Sequence, residues 1–112
     1  MSIQSDLLRG STDTIILSLL SKEDCYGYRV NQIVSAKTDD KFGFKEATLY
    51  SAFKRLEKGE LISSYWGDEG AGARRKYYKI TESGLAKLDQ LRTDYNEIKT
   101  YIDILIREET NE

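Results

Sequence analysis

The chain has 112 residues, a net charge of −2, and contents of 39% hydrophobic and 32% charged residues. This composition fits one domain with a packed core. One cysteine and no histidine argue against an internal disulfide, a zinc site and enzymes that rely on a histidine base. Because no apolar run is long enough to span a membrane and the N-terminus lacks a signal-peptide core, we expect a cytoplasmic protein without metal or cofactor.

The charges are distributed unevenly along the chain. Residues 45–79 hold eight basic and five acidic side chains, whereas residues 80–112 hold four basic and eight acidic ones. Such an asymmetry would orient the molecule on a polyanion, although ordinary surface charge explains excesses of this size equally well.

Apolar residues at helical spacing predict two helices in the first third of the chain. The first runs from Leu7 to Leu20 and places Leu7 and Leu17 on a second apolar face, which is a candidate partner surface. The second covers Tyr26–Ala36. Between them, Cys25 is interpreted as a small buried apolar residue rather than a redox sensor.

A third helix, predicted over Glu46–Lys58, combines an apolar stripe with a polar, partly basic face. It follows Lys45, which offers no oxygen as an N-cap, and it stops before Gly59. Lys54 and Arg55 are predicted to bind the backbone of DNA, although Arg55 could instead pair with Glu57 or with Asp side chains. Base edges and adjacent phosphates are the predicted targets of four further side chains: Glu46, Thr48, Tyr50 and Ser51.

A β-hairpin is predicted to follow this helix. Leu61–Trp66 alternates as a strand, Gly67–Gly72 supplies three glycines for the turn, and Arg74–Ile80 returns as the second strand. Asp68 and Glu69 lie among the glycines, and no βαβ unit surrounds them, so a hairpin turn is favoured over a phosphate loop. Trp66 is expected to pack near the base of the hairpin.

The second strand contains a basic-aromatic run whose predicted DNA-binding members are Arg74, Arg75, Lys76 and Tyr77. Alone, this run fits either an edge strand protected by charge or a surface that contacts phosphates. Coupled to the preceding helix, it favours phosphate contact. The two elements together predict a winged-helix DNA-binding unit whose later, basic strand contacts the DNA.

Thr81 is a good N-cap for a last helix of about 27 residues, about 40 Å long. Because this helix is too long for a small core, we predict a homodimer; the alternative is packing along the first helix of the same chain. The predicted dimer interface has apolar residues at steps of three and four, as in a coiled coil: Leu88, Leu91, Tyr95, Ile98, Ile102 and Leu105.

Several short motifs, in order and spacing, resemble the PadR family of bacterial transcriptional regulators, specifically its compact members with one C-terminal helix. The resemblance implies an α+β, mostly α, fold: a winged helix-turn-helix DNA-binding domain over residues 1–80 and a dimerisation helix over residues 81–112. The motifs are Leu8-Arg9-Gly10, Tyr26-Gly27-Tyr28, Ala47-Thr48-Leu49-Tyr50, Arg55-Leu56-Glu57, Leu61-Ile62, and Arg74-Arg75-Lys76-Tyr77-Tyr78 followed by Thr81-Glu82 and Gly84.

The resemblance further implies a repressor that a small molecule releases from its operator. In a dimer the two recognition helices should enter successive major grooves roughly 34 Å apart, so the double-stranded operator should be an interrupted palindrome. In compact PadR members an aromatic residue of the last helix lines a flat pore that admits planar hydrophobic drugs. Tyr95 stands where multidrug-responsive members place Trp, and Leu17 and Leu91 match other pore-lining positions. Alternatively, Tyr95 only packs in the dimer seam.

Two other functions remain compatible with the sequence. The winged helix could be a module that binds a protein partner through its wing edge, and a strong salt dependence of duplex binding would argue against this. The chain could also be a small-molecule carrier, for which ligand binding without DNA affinity is the expected behaviour.

Overall fold

A computed structural model describes residues 9–68 and 74–109. The class is α+β and mostly helical, as predicted, with one two-stranded antiparallel sheet. A 3-10 turn (Arg9–Ser11) leads into α1 (Thr12–Leu20), α2 (Gly27–Lys37), α3 (Glu46–Lys58), β1 (Ile62–Asp68), β2 (Arg74–Ile80) and α4 (Glu82–Ile106).

The first helix differs from its prediction in two respects. Its first turn is 3-10, and residues 7 and 8 lie outside the described range. Leu17 is 0% exposed, so it is not part of the predicted partner surface; Leu7, the other residue of the predicted second face, lies outside the described range. The physical reason is that α1 is enclosed by α3, β2 and α4 of its own chain, which bury both of its faces.

The core forms where α1, α3, the base of the hairpin and the first turns of α4 meet. Phe53 of α3 stacks on Tyr78 of β2 with ring centroids 4.0 Å apart. This aromatic contact fixes the orientation of the hairpin relative to α3. The largest fully buried side chains include Phe53, Ile16, Leu17, Leu49, Ile62, Leu88 and Val30.

The loop that leads into α3 is anchored by one side chain. The Asn31 amide donates to the Phe44 carbonyl at 2.8 Å, and its oxygen accepts from the Phe44 N–H at 2.9 Å. Phe42 and Phe44 are buried against each other, edge to face, so they anchor the same loop to the core. Because Lys45 provides no side-chain cap, as predicted, this anchor determines where α3 begins.

The end of α3 is a Schellman motif. The Glu60 N–H bonds to the Glu57 carbonyl, and the Leu61 N–H bonds to the Leu56 carbonyl. The left-handed residue that this motif requires is Glu60, with φ 63, and not Gly59, whose φ is −81. The helix stops where predicted, but the glycine lies one position before the strained residue.

The hairpin gains a third, one-residue strand from Cys25. Its N–H bonds to the Tyr78 carbonyl at 3.2 Å, and the Tyr78 N–H bonds back at 2.8 Å. The Cys25 thiol is fully buried, and burial, reinforced by the charge of Glu23, raises its pKa to about 11. This environment agrees with the predicted apolar role of Cys25. The glycine turn was predicted to begin too early, because Gly67 and Asp68 belong to β1 and pair with Arg75 and Arg74. The rest of the predicted turn, including Glu69, lies outside the described residues.

The last helix is packed at one end and exposed at the other. Thr81 caps it by accepting the Gly84 N–H at 3.0 Å, as predicted. Leu88 is 2% exposed and Leu91 is partly buried against the same core, whereas every residue from Arg92 to Ile106 is exposed. The predicted dimer seam was therefore wrong at Leu88, because the first turns of α4 bury their apolar side chains in their own chain. None of the helices in the described ranges is both long and apolar enough to cross a membrane.

Candidate nucleic-acid interface

The outward face of α3 gathers polar side chains. Leu49, Phe53 and Leu56 are buried on its inner side, so the helical repeat turns the remaining positions outward. The six residues predicted to bind DNA from this helix are all exposed: Glu46, Thr48, Tyr50, Ser51, Lys54 and Arg55.

Three of these residues share one groove. Thr48, Ser51 and Arg55 line an open depression of about 610 Å³ beside α1. The Arg55 guanidinium forms an ion pair with Asp13 of α1, which is the carboxylate pairing that the sequence left open for it. One of the predicted cations of α3 is therefore already partly neutralised by a carboxylate at the edge of this face.

The Tyr50 side chain packs against its neighbours on one side and is exposed on the other. Its ring lies edge to face against Phe53 with centroids 5.8 Å apart. Its hydroxyl end fits over Gly27, where an added Cβ would lie 2.4 Å from the oxygen. Gly27 thus provides the space that Tyr50 occupies, and the partly exposed remainder of the ring faces outward beside Lys54.

The basic-aromatic run of β2 is divided between the two faces of the hairpin. Because side chains alternate along a strand, Arg75 and Tyr77 lie on one face, and Arg74 and Lys76 lie on the other. The three cations are exposed and Tyr77 is partly buried. The four predicted wing residues therefore lie in one strand but on its two opposite faces, where they contact different neighbours.

The face that carries Arg75 is covered by an aromatic ladder, which consists of Tyr26, Tyr77 and Tyr65. Tyr77 stacks on its cross-strand partner Tyr65 at 5.6 Å and meets Tyr26 edge to face at 5.3 Å. The Tyr65 hydroxyl donates to Asp24 at 2.5 Å, which raises the pKa of Tyr65 to about 12. The Arg75 guanidinium lies 4.4 Å from the centroid of the Tyr26 ring, so the ladder holds a cation at its outer edge.

The opposite face exposes Trp66. Its side chain is 57% exposed and carries the Arg74 guanidinium 5.5 Å from its ring, while the Lys76 amine lies 5.8 Å from the Tyr78 ring. The expectation that Trp66 packs near the hairpin base was wrong, because the core contacts of this face end at Tyr78 and Ser64, the latter bonded to Glu57.

A second groove, of about 380 Å³, lies between α1 and α4. Its polar wall has three cations and three hydroxyls, and its apolar wall includes Tyr95, Ile15 and Leu19. Leu17 and Leu91, predicted to line a ligand pore with Tyr95, lie in or against the core instead and are not among its lining residues. The Arg92 guanidinium donates to the Ser18 hydroxyl at 3.0 Å. The polar lining side chains are Ser11, Thr14, Ser18, Lys22, Lys37 and Arg92.

Comparison with known proteins identifies the family. The model of the transcriptional regulator PadR-like family matches residues 16–90, which span most of α1, all of α2, α3 and the hairpin, and the start of α4. The chain belongs to the PadR-like family of transcriptional regulators. It is therefore a regulator of transcription and not an enzyme.

Individual relatives of this PadR-like protein agree in sequence and shape. An uncharacterized protein of Lysinibacillus sphaericus is 46% identical over 104 residues, which cover 93% of this chain and 95% of that one. The structure of a transcriptional regulator from Clostridium thermocellum matches with a TM-score of 0.84 at 44% identity, covering 91% of this chain and 99% of that chain. A PadR family transcription regulator from hypervirulent Clostridium difficile matches with a TM-score of 0.72 at 35% identity, covering 86% and 98%. These matches confirm the predicted PadR winged-helix fold.

Sequence reasoning missed four residues of this interface: Asp13, Asp24, Tyr26 and Tyr65. Asp13 and Arg55 are 42 positions apart, and no local pattern joins them. Tyr65 could have been found, because alternation along the first strand places it opposite the second strand on the face of Tyr77. Tyr26 could not, since its contact depends on the non-local pairing of Cys25 with Tyr78.

Proposed function

We propose that this PadR-like protein binds double-stranded DNA as a homodimer and represses transcription from an interrupted palindromic operator. The observation that supports this best is that α3 exposes a polar face and β2 exposes three cations, while the Phe53–Tyr78 stack packs these two elements on one core. In winged-helix proteins such elements fit a major groove and the adjacent backbone. A cytoplasmic location stays a prediction.

Within this proposal the residues have different roles. Thr48 and Ser51, at the exposed start of α3, are placed to contact base edges, and Lys54 is placed to contact a flanking phosphate. Arg74, Arg75 and Lys76 neutralise phosphates from the wing. Base contacts select the DNA sequence, whereas phosphate contacts fix the position of the protein on the duplex. Substitutions in these two groups of residues should therefore affect DNA binding differently.

The role of Arg75 gives a direct prediction. Arg75→Ala removes one phosphate contact, so it should weaken binding to all duplex sequences alike and flatten the dependence of log K on log salt by about one unit. Fluorescence anisotropy with a labelled duplex over a series of salt concentrations measures both the affinity and its salt dependence. Lys99→Ala, which removes a cation from the exposed part of α4, is the matched control. An unchanged slope for Arg75→Ala would contradict the assignment.

The operator can be found by selecting bound duplexes from a random pool with the wild-type protein. A dimer that places one α3 in each of two successive major grooves should enrich inverted half-sites roughly 34 Å apart, about one helical turn. Enrichment of a single, unrepeated site would argue against the dimeric mode. Failure to enrich any sequence would argue against operator binding itself.

The proposed dimer is supported by the exposed end of α4. Ile98, Ile102 and Leu105 expose 55%, 46% and 80% of their surfaces, and a monomeric soluble protein seldom exposes an apolar stripe of this length. Tyr95, half exposed, lies at the start of this stripe and also lines the groove between α1 and α4. A partner helix on the stripe would therefore border the groove.

The groove between α1 and α4 is the proposed effector site. Its volume suits a small planar molecule, and Tyr95 offers an aromatic face. Lys22, Lys37 and Arg92 line it without any carboxylate among its described lining residues, so we extend the proposal to a planar hydrophobic ligand that carries an anionic group. Such a ligand would release the operator only through its different affinity for the DNA-bound and free arrangements of the helices.

Paired compounds test the effector proposal. Naphthoate and naphthamide share a planar ring system and differ in charge, so naphthoate should bind more tightly by calorimetry and should weaken the gel shift of the selected operator. Lys37→Gln should reduce the preference for naphthoate, since it removes one of the three cations. If operator affinity stays constant at saturating concentrations of both compounds, the proposed effector site is wrong, but the proposed DNA binding is not affected.

A further inference from the structure

The wing residue Arg75 receives its nearest ring support from outside the hairpin. Its register partner across the sheet is Gly67, which has no side chain to pack against. The aromatic contact of the Arg75 guanidinium is with Tyr26 at 4.4 Å, a residue 49 positions earlier in the chain. The neighbouring cation Arg74 differs, because its aromatic contact, Trp66, belongs to the same hairpin.

The Tyr26 ring is held in place from several directions. The preceding residue, Cys25, forms two backbone hydrogen bonds with Tyr78, and the Tyr26 carbonyl accepts the Val30 N–H at 3.2 Å at the start of α2. Tyr77 packs edge to face with its ring, with centroids 5.3 Å apart. At the far end of the aromatic ladder, Tyr65 is bonded to Asp24. Tyr26 is therefore a fixed platform rather than a mobile surface side chain.

We infer that Tyr26 is a positioning residue for DNA binding: its ring holds the Arg75 guanidinium in the orientation from which that group contacts a phosphate. A guanidinium that stacks on an aromatic face keeps its N–H edge free for phosphate oxygens. Stacking also restricts the side chain before DNA arrives, so less rotamer freedom is lost on binding. The inference rests on the proposed DNA-binding role of Arg75.

A double-mutant cycle tests the coupling of the two residues. Random-sequence duplex serves as the probe, because phosphate contacts do not depend on sequence. Tyr26→Leu, which removes the aromatic face, should lower affinity by about two- to fivefold and reduce the salt slope, whereas Tyr26→Phe keeps the face and should bind like wild type. In an Arg75→Ala background, Tyr26→Leu should cause no further loss. An equal loss in both backgrounds, or no loss in either, would overturn the inference.

Proton NMR of the free protein provides a readout that does not need DNA. The Tyr26 ring should shift the Arg75 side-chain protons upfield from their ordinary positions, and the shift should persist in Tyr26→Phe. Ordinary positions for these protons would refute the positioning role even if DNA binding is confirmed. Conversely, a wild-type protein that binds no duplex would refute the proposed function, while the ring contact could still be observed.

Discussion

At the scale of single residues, the proposed DNA-binding surface contains a carboxylate whose negative charge is unfavourable for DNA binding. Asp13 pairs with Arg55 at the edge of the outward face of α3, and an exposed pair of this kind contributes little to stability. In the proposed complex with DNA its effect would be larger, because the carboxylate both neutralises Arg55 and would repel nearby phosphates. Asp13 should therefore limit how strongly α3 binds DNA of any sequence.

Replacement of this carboxylate should strengthen non-specific binding. Asp13→Asn is expected to raise the affinity for random-sequence duplex and to steepen the salt slope by up to about one unit, since Arg55 becomes available to a phosphate. Asp103→Asn makes the same change of charge near the far end of α4 and is the control. Anisotropy titrations measure the affinity of both variants for random-sequence duplex. Equal affinities of Asp13→Asn and Asp103→Asn would show that Asp13 has no local effect.

At the scale of secondary-structure elements, the junction between α3 and α4 joins the proposed DNA-binding and dimerisation parts. The Thr81 hydroxyl donates to the Glu60 carbonyl at 2.8 Å, and the Thr81 N–H bonds to the Leu61 carbonyl at 3.1 Å. Gly84 lets the first turn of α4 approach so closely that an added Cβ would lie 2.1 Å from the Leu61 oxygen. The turn that follows α3 and the start of α4 are thus in direct contact.

Gly84→Ala should force this junction apart. The new methyl group meets a backbone oxygen, which cannot move aside like a flexible side chain, so we expect a loss of about 1–3 kcal/mol in the free energy of unfolding. Gly59→Ala is the matched control, because a Cβ there meets only ordinary contacts, the nearest at 3.6 Å. Urea denaturation at one fixed protein concentration compares them. A Gly84→Ala protein as stable as the control would show that the junction tolerates separation.

Much of this arrangement follows from local sequence, and the remainder depends on contacts between distant segments. Periodicity and caps predicted the bounds of α3, the second strand of the hairpin and the start of α4, because these depend on neighbouring residues. Leu88 and Ile98 belong to the same repeat of α4, yet one is buried in the core and the other is exposed. The repeat identifies the apolar face of a helix, but how far the core extends beneath that face depends on the packing of distant elements.

At the scale of the whole molecule, the exposed half of α4 has apolar side chains that a single chain does not bury. Tyr101, Ile104 and Ile106 add to the seam residues and are 51–73% exposed, so apolar groups cover more of the helix than a two-stranded coiled coil requires. We expect a partner to cover this end with more than one helix.

Introduction of a charge into this surface should separate the proposed dimer. Ile98→Asp buries a carboxylate if the dimer forms, which is unfavourable without a partner charge, so the variant should sediment as a monomer and lose operator affinity. Asn96→Asp places the same charge on the polar side of α4 and should leave the mass unchanged. If analytical ultracentrifugation gives the dimer mass for Ile98→Asp, another surface must join the subunits.

The exposed half of α4 also has a geometric consequence. From Arg92 to Ile106 it extends about 22 Å at 1.5 Å per residue, so it acts as a lever arm whose near end is fixed at Leu88. Ile106 lies about 27 Å along the helix from Leu88, so a tilt of roughly 10° at Leu88 displaces the far end by roughly 5 Å. In the proposed dimer the separation of the two DNA-binding faces would then be adjustable by substitutions in the arm alone. New operator spacings could arise in evolution without any change to the residues that contact DNA.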